Sequence, residues 1–217
     1  MRAGLSDSAP AFHPLPDDYK KEDVSMHGNY LPRNPFAEAV GHGVLRLMGW
    51  RIEGSLPALD KFVVIGAHHT SNWDFVIFLA VKFILRLNGH WFAKHTLFRR
   101  PFGGLLKRWG GVPIHRHLKL NMVEQAVEQF RQSREFMLII SPEGTRKRVE
   151  RWKMGFYHIA RGANVPIVPA ALDYANRRVV FGQPFYPTGD ESADLHQLLA
   201  FYRPYVPKKP DYAFNGD

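Results

Sequence analysis

Residues 62–74 read FVVIGAHHTSNWD, and the fold turns on this stretch. From Phe62 to Ala67 every residue is apolar or glycine, and Val63, Val64 and Ile65 are β-branched. A run that short and that apolar reads as a strand buried on both faces, as inside a parallel sheet. A longer apolar segment from about Asn72 to Leu87 follows, and its length predicts a helix. A buried strand that passes through a few polar residues into a helix is the start of a βα unit. In such sheets reactive groups sit just beyond the carboxyl ends of the strands. Here that position holds His68 and His69, two polar rings that a core has little use for.

The rest of the chain repeats the alternation. Strands are predicted at His90–Ala93, Val112–Ile114, Phe136–Ile140, Val165–Leu172 and Arg178–Phe181. Helices are predicted at Phe102–Trp109, from a cap at Asn121 through Phe130, at Trp152–Arg161 closed by Gly162, and at Ser192–Phe201. Together they give a single α/β domain with a central mixed, largely parallel sheet flanked by helices. Ahead of it, Phe36, Val40, Val44, Leu47 and Met48 recur at helical spacing with Glu38, His42 and Arg46 opposite. That amphipathic helix either packs on the core or lies in a membrane interface with Trp50 at its end. The expected organisation is a poorly ordered arm over 1–34, the helix over 35–50, the domain over 51–205 and a tail over 206–217. The arm has no apolar h-region behind a basic start, so no signal peptide is read there.

The 217 residues carry 29 Lys and Arg against 20 Asp and Glu, a net charge of +9, and no Cys. Without Cys there is no disulfide framework, thiolate metal site or Cys nucleophile. The charge is localised. No acidic residue stands between Asp74 and Glu124, while Lys82, Arg86, Lys94, Arg99, Arg100, Lys107, Arg108, Arg116 and Lys119 do. Such a segment expects an anionic partner. Its cations alternate with Phe98, Phe102, Leu105, Leu106 and Trp109, which suits a charged membrane surface better than a nucleic-acid duplex. The longest apolar run, Phe75 to Val81, is far short of the ~20 residues needed to span a bilayer, so membrane contact would be peripheral.

Spacing limits what His69 and Asp74 can do together. Within one helix they would lie about 140° apart and never meet. If His69 ends the strand and Asp74 sits in the first helical turn, the loop can fold the carboxylate onto Nδ1 and leave Nε2 free as a base. Ser71-x-x-Asp74 fits a capping box equally well, in which Asp74 only ties off backbone N–H groups. Two later segments also deliver polar groups from strand ends. Gly110 to Arg116 is a glycine turn and short strand ending in Arg116. Ser141-Pro142-Glu143-Gly144-Thr145-Arg146 follows the FMLII strand, and the Arg146 fork can grip an oxyanion.

Taken together, these stretches resemble the glycerolipid acyltransferase family typified by bacterial 1-acylglycerol-3-phosphate acyltransferase. Residues His69 to Asp74 are similar to the family's His-x4-Asp catalytic block. Gly111 to Arg116 resembles the second block, Pro142 to Arg146 the third, and Val165 to Pro169 the fourth. Lys94, followed by Leu97-Phe98 and Pro101-Phe102-Gly103, also resembles a family segment. Departures are His68, where the family often has Asn, His115 for Asp, and Lys147 for Ser.

The resemblance implies transfer of a fatty acyl group from acyl-CoA or acyl carrier protein to a lysophospholipid hydroxyl. No bound cofactor is expected. His69 would be the base and Asp74 its orienting partner. Lys94, Arg116, Glu143, Gly144, Thr145 and Arg146 would bind substrate, with Glu143 holding either the loop or a substrate hydroxyl. The expected location is cytoplasmic, at the inner face of the cell membrane. Two other classes fit parts of the sequence. A metal-dependent hydrolase would use His68, His69, Asp74 and the His115/His117 pair. A non-enzymatic anionic-lipid or nucleic-acid binder would leave the His69–Asp74 pair idle.

Overall fold

The computed structural model describes residues 29–99, 101–114 and 119–214. Its centre is the predicted strand, here β2 (Lys61–Ala67), with Phe62, Val63 and Ile65 fully buried. Burial of each such side chain stabilises the fold by about 1.5–3 kcal/mol. The flanking strands are β1 (Arg51–Glu53), β3 (Gly89–Lys94), β4 (Gly111–Ile114), β5 (Phe136–Ile140), β6 (Ile167–Asp173) and β7 (Arg178–Phe181). They form one sheet in the order β1-β7-β6-β2-β5-β3-β4. Every neighbouring pair is parallel except β6–β7, which the Tyr174–Arg177 turn joins as an antiparallel hairpin.

The two-residue period of β2 sorts its side chains onto two cores. Val63 and Ile65 face Phe130 of α4 (Lys119–Gln132), Phe156 and Ile159 of α5 (Gly155–Ala163), and Tyr202 of α6 (Glu191–Tyr202). Phe62 and Val64 face Leu45 of α1 (Pro35–Met48) and Ile77, Ala80 and Val81 of α2 (Trp73–Ile84). The domain is therefore three-layered, with α1 and α2 on one face of the sheet and α4 to α6 on the other; the short α3 (Gly103–Arg108) leads into β4.

Helix α1 starts where Asn34 accepts the Ala37 N–H at 3.1 Å ahead of Pro35, and it ends at Gly49 in the left-handed region (φ 71°). It meets α2 at Gly41, where a Cβ would stand 2.7 Å from the Ala80 carbonyl oxygen. Of the expected apolar residues, Val44 and Met48 pack against the core beside it. Gly41 and Leu45 are buried, whereas Phe36, Val40 and Leu47 lie within about 40° of one another on an outward stripe. The helix has two apolar faces, and only one of them packs on the core.

Other departures are local. The last turn of α2 stops at Ile84 rather than Leu87. Asn121 lies inside α4, which begins at Lys119, so it is not the cap. Helix α5 begins at Gly155 rather than Trp152, and Asn164 (φ 53°) closes it in place of Gly162. Strand β1 was outside the prediction because three residues are too few to show a period. At the end of the expected disordered arm, Asn29 is buried, with Nδ2 donating to the carbonyls of Leu59 (2.9 Å) and Asp60 (2.7 Å). Residues 1–28 and 215–217 lie outside the described residues.

One cation of the acid-free segment does not face a partner at all. Lys82 is buried, and its Nζ donates to the carbonyls of Leu87 and Gly89. Burial pushes its ammonium down to about 8. Lys82 ties the end of α2 to the start of β3, and the anion-seeking charge is reduced by that one residue.

Candidate active site

Because β2, β3, β4, β5 and β6 run parallel, the segments that leave their carboxyl ends share one edge of the sheet. That topology brings the His68–Asp74 loop, the Ser141–Arg146 loop and Tyr174 together. Asp74 lies in the first turn of α2, His69 just before it, and the loop folds back as the catalytic geometry requires. His69 Nδ1 is 3.1 Å from Asp74 Oδ2, with the carboxylate buried and the imidazole about a quarter exposed. A carboxylate beside Nδ1 fixes the tautomer that carries its proton there, leaving Nε2 as the free lone pair.

Asp74 does the capping work as well. Its Oδ2 accepts the Thr70 N–H at 2.9 Å and the Ser71 N–H at 2.8 Å, so one carboxylate both shapes the loop and orients the ring. The helix cap position is Asn72, whose side chain makes no capping hydrogen bond. The fourth partner is Tyr174, whose hydroxyl donates to Asp74 Oδ1 at 2.5 Å. No sequence signal pointed to Tyr174, which is 100 residues away along the chain.

Glu143 is almost wholly buried. Its Oε2 accepts the His69 N–H at 2.6 Å, and its Oε1 lies 3.4 Å from His68 Nδ1. Of the two roles expected for Glu143, holding the loop is the one this burial fits. Gly144 sits in the left-handed region (φ 63°), where a Cβ would meet Lys153 Nζ at 2.8 Å, so glycine suits the turn. Thr145 is half-buried and its Oγ1 accepts the Lys147 N–H at 3.3 Å, while Arg146 is exposed. Lys94 closes β3 opposite Ile114 of β4, which carries the backbone of both segments to the same edge. Arg116, with His115 and His117, lies outside the described residues.

The two described histidines of the proposed metal cluster face different carboxylates, His68 toward Glu143 and His69 toward Asp74. Among the described residues, no group of three or more His, Asp or Glu side chains is arranged to hold a metal ion.

From His69 and Asp74 a cavity of about 210 Å³ runs between the sheet and α2. Beyond its polar mouth the walls are apolar, including Phe78, Trp91, Ile139, Leu87 and Phe181. Gly66 of β2 also borders it, and a Cβ there would have no atom within 4 Å. A glycine in a central strand normally forfeits packing; here it leaves the cavity open.

The segment after α6 returns to this edge. Lys209 N–H donates to Thr70 Oγ1 at 3.2 Å, and Lys208 Nζ stands 5.0 Å from the Trp73 ring centroid and 5.7 Å from that of Tyr174. The start of the tail over 206–217 is therefore part of the rim.

The three-layer α/β domain thus places a His–carboxylate pair at a strand mouth that opens on an apolar cavity. The chain belongs to the Acyltransferase family, whose sequence profile matches residues 50–173. It is similar in fold to the 1-acyl-sn-glycerophosphate (LPA) acyltransferase PlsC from Thermotoga maritima, with 19% identity and a TM-score of 0.56, over 76% of this chain and 74% of that one. No curated protein matches the chain.

Proposed function

We propose that this acyltransferase moves a fatty acyl group from a thioester, acyl-CoA or acyl carrier protein, to the hydroxyl of a lysophospholipid such as 1-acylglycerol-3-phosphate. The observation that carries the reading is the 3.1 Å contact between His69 Nδ1 and Asp74 at the mouth of an apolar cavity. His69 Nε2 takes the proton from the acceptor hydroxyl as its oxygen attacks the thioester carbonyl. The C–S bond then breaks, and the imidazolium returns the proton to the departing thiolate. Asp74 holds the ring and balances its transient charge. General-base help of this kind is worth about 10²–10⁴ in rate. Arg146, with Lys94 and Arg116, supplies cations for the acceptor phosphate, and positioning provides much of the remaining acceleration. Purified protein given a panel of lysolipid acceptors and both thioester donors, with His69→Ala as the blank, tests the assignment.

The cavity is the place for the acyl chain. Its apolar walls match an alkyl tail, and the open space over Gly66 lies along its length. Gly66→Leu should fill that space and shift the preferred donor to chains several carbons shorter, with short-chain turnover retained. Competition between donors of different length measures it, and an unchanged preference removes the chain from this cavity.

The reaction is placed at an anionic membrane surface, on the inner face of the cell membrane. Leu97, Phe102 and Leu105 are exposed among Arg99, Lys107 and Arg108, and the outer stripe of α1 presents Phe36 and Leu47. Cations interleaved with solvent-facing apolar side chains are what an anionic interface binds. Among the described residues no helix is long and apolar enough to cross a membrane. Replacing Phe102 and Leu105 together by Asp should lower co-sedimentation with anionic vesicles by roughly tenfold or more. Undiminished sedimentation assigns binding elsewhere.

A further inference from the structure

We propose that Tyr174 is a positioning residue of the acyl-transfer site: its hydroxyl fixes the Asp74 carboxylate whose other oxygen holds His69. The inference rests on the catalytic reading of the His69–Asp74 pair given above.

Asp74 has two oxygens with unequal burdens. Oδ2 faces His69 Nδ1 and accepts two backbone N–H groups, so three donors converge on it. Those donors all belong to one loop and move with it. The Tyr174 hydroxyl, at 2.5 Å from Oδ1, reaches the carboxylate from the turn after β6, the strand beside β2, and so from outside the His68–Asp74 loop. A carboxylate gripped from one side can rotate about its Cβ–Cγ bond. Gripped from both sides, it holds one orientation, and with it the direction of the His69 ring. Burial, and then the Asp74 carboxylate, hold the phenol well above its ordinary range, so it keeps the proton it donates.

The tyrosine is itself held on several sides. Trp50, following α1, meets its ring edge-on at a centroid distance of 4.8 Å. Lys208 lies over the ring at 5.7 Å, and the Tyr174 N–H donates to the Val206 carbonyl at 2.8 Å. Its neighbour Asp173 is fully buried and bonded to Arg178 at 2.8 Å and to Asn176 at 2.8 Å, which fixes the turn. A surface tyrosine held only for solubility needs none of this. Tyr174 lies one residue beyond the segment matched by the family profile; of its clamps, Trp50 precedes β1 and Lys208 follows α6. The segments before and after the sheet thus converge on the catalytic carboxylate through one phenol.

Two variants separate positioning from packing. Tyr174→Phe keeps the ring against Trp50 and Lys208 but removes the donor. Tyr174→Leu removes both. Loss of one hydrogen bond to a charged group should lower kcat by roughly 10- to 30-fold. KM for both substrates should stay within about twofold, because the phenol touches neither substrate. The two variants should fall alike in kcat. The downfield proton resonance of the His69 Nδ1–H, identified by its loss in His69→Ala, should move in Tyr174→Phe. Wild-type kcat and an unmoved resonance in Tyr174→Phe, with Tyr174→Leu impaired, overturn the proposal and make Tyr174 a packing residue. Wild-type turnover by folded His69→Ala instead overturns the catalytic reading on which the proposal depends, and that outcome is read from a different variant.

Discussion

His69→Ala should leave a folded protein with acyl transfer reduced by about 10²–10⁴, to the rate supplied by substrate binding alone. The imidazole is only partly buried, with its Nδ1 against Asp74, so its removal opens no large cavity. Thermal unfolding should shift little. Thiol release from the acyl donor, followed in the presence of acceptor, measures the loss. Because the missing group is a proton acceptor and not a substrate anchor, the fall should appear in kcat, with KM for either substrate much less affected. A parallel rise in KM would instead place His69 in binding.

Asp74→Asn should be nearly as damaging to turnover, and costly to the fold as well. An amide can still accept a backbone N–H through its oxygen. Thr70 N and Ser71 N, however, both point at the same Oδ2 that faces His69. If the amide oxygen keeps the two backbone donors, its NH2 faces the Tyr174 hydroxyl, which must turn from donating to accepting. If the amide turns over, its NH2 meets His69 Nδ1 and selects the tautomer in which Nε2 carries the proton and is no base. In the first case His69 keeps an oxygen partner but loses the charge that stabilises its imidazolium. Either way kcat should fall by about 10²–10⁴. Replacing the buried carboxylate's charge-assisted hydrogen bonds by those of an amide should also lower stability by about 1–3 kcal/mol. Steady-state kinetics and thermal unfolding of the same preparation measure both. An Asn variant with normal turnover would reduce Asp74 to a loop cap.

The sequence made some of this plain and hid the rest for physical reasons. Strand β2 was readable because burial on both faces leaves an unbroken apolar run, and the parallel sheet then puts His69 and the Ser141–Arg146 segment at one edge. The His69–Asp74 contact was one of two alternatives at that spacing, and the structure combines them, since Asp74 both caps and orients. Tyr174 was not readable. It meets Asp74 only because β6 lies beside β2, a pairing that no local pattern encodes. The expected apolar residues of α1 divide between the core, which takes Val44 and Met48, and the outward stripe of Phe36, Val40 and Leu47, because periodicity finds the helix without saying which side packs. Lys82 looked like one more surface cation because charge counting carries no information on burial. The enclosure of Glu143 was equally hidden, since a Glu after a strand reads the same whether it faces substrate or the loop beside it.

The central claim is that His69, oriented by Asp74, transfers an acyl group from a thioester to a lysolipid hydroxyl. The most direct measurement incubates purified protein with 1-acylglycerol-3-phosphate and a long-chain acyl thioester, and quantifies released thiol and diacyl product together. Equal amounts of thiol and diacyl product, with both reduced by about 10²–10⁴ for His69→Ala, are the predicted result. Thiol released with free fatty acid and no diacyl product, or product formed equally well by folded His69→Ala, would contradict it.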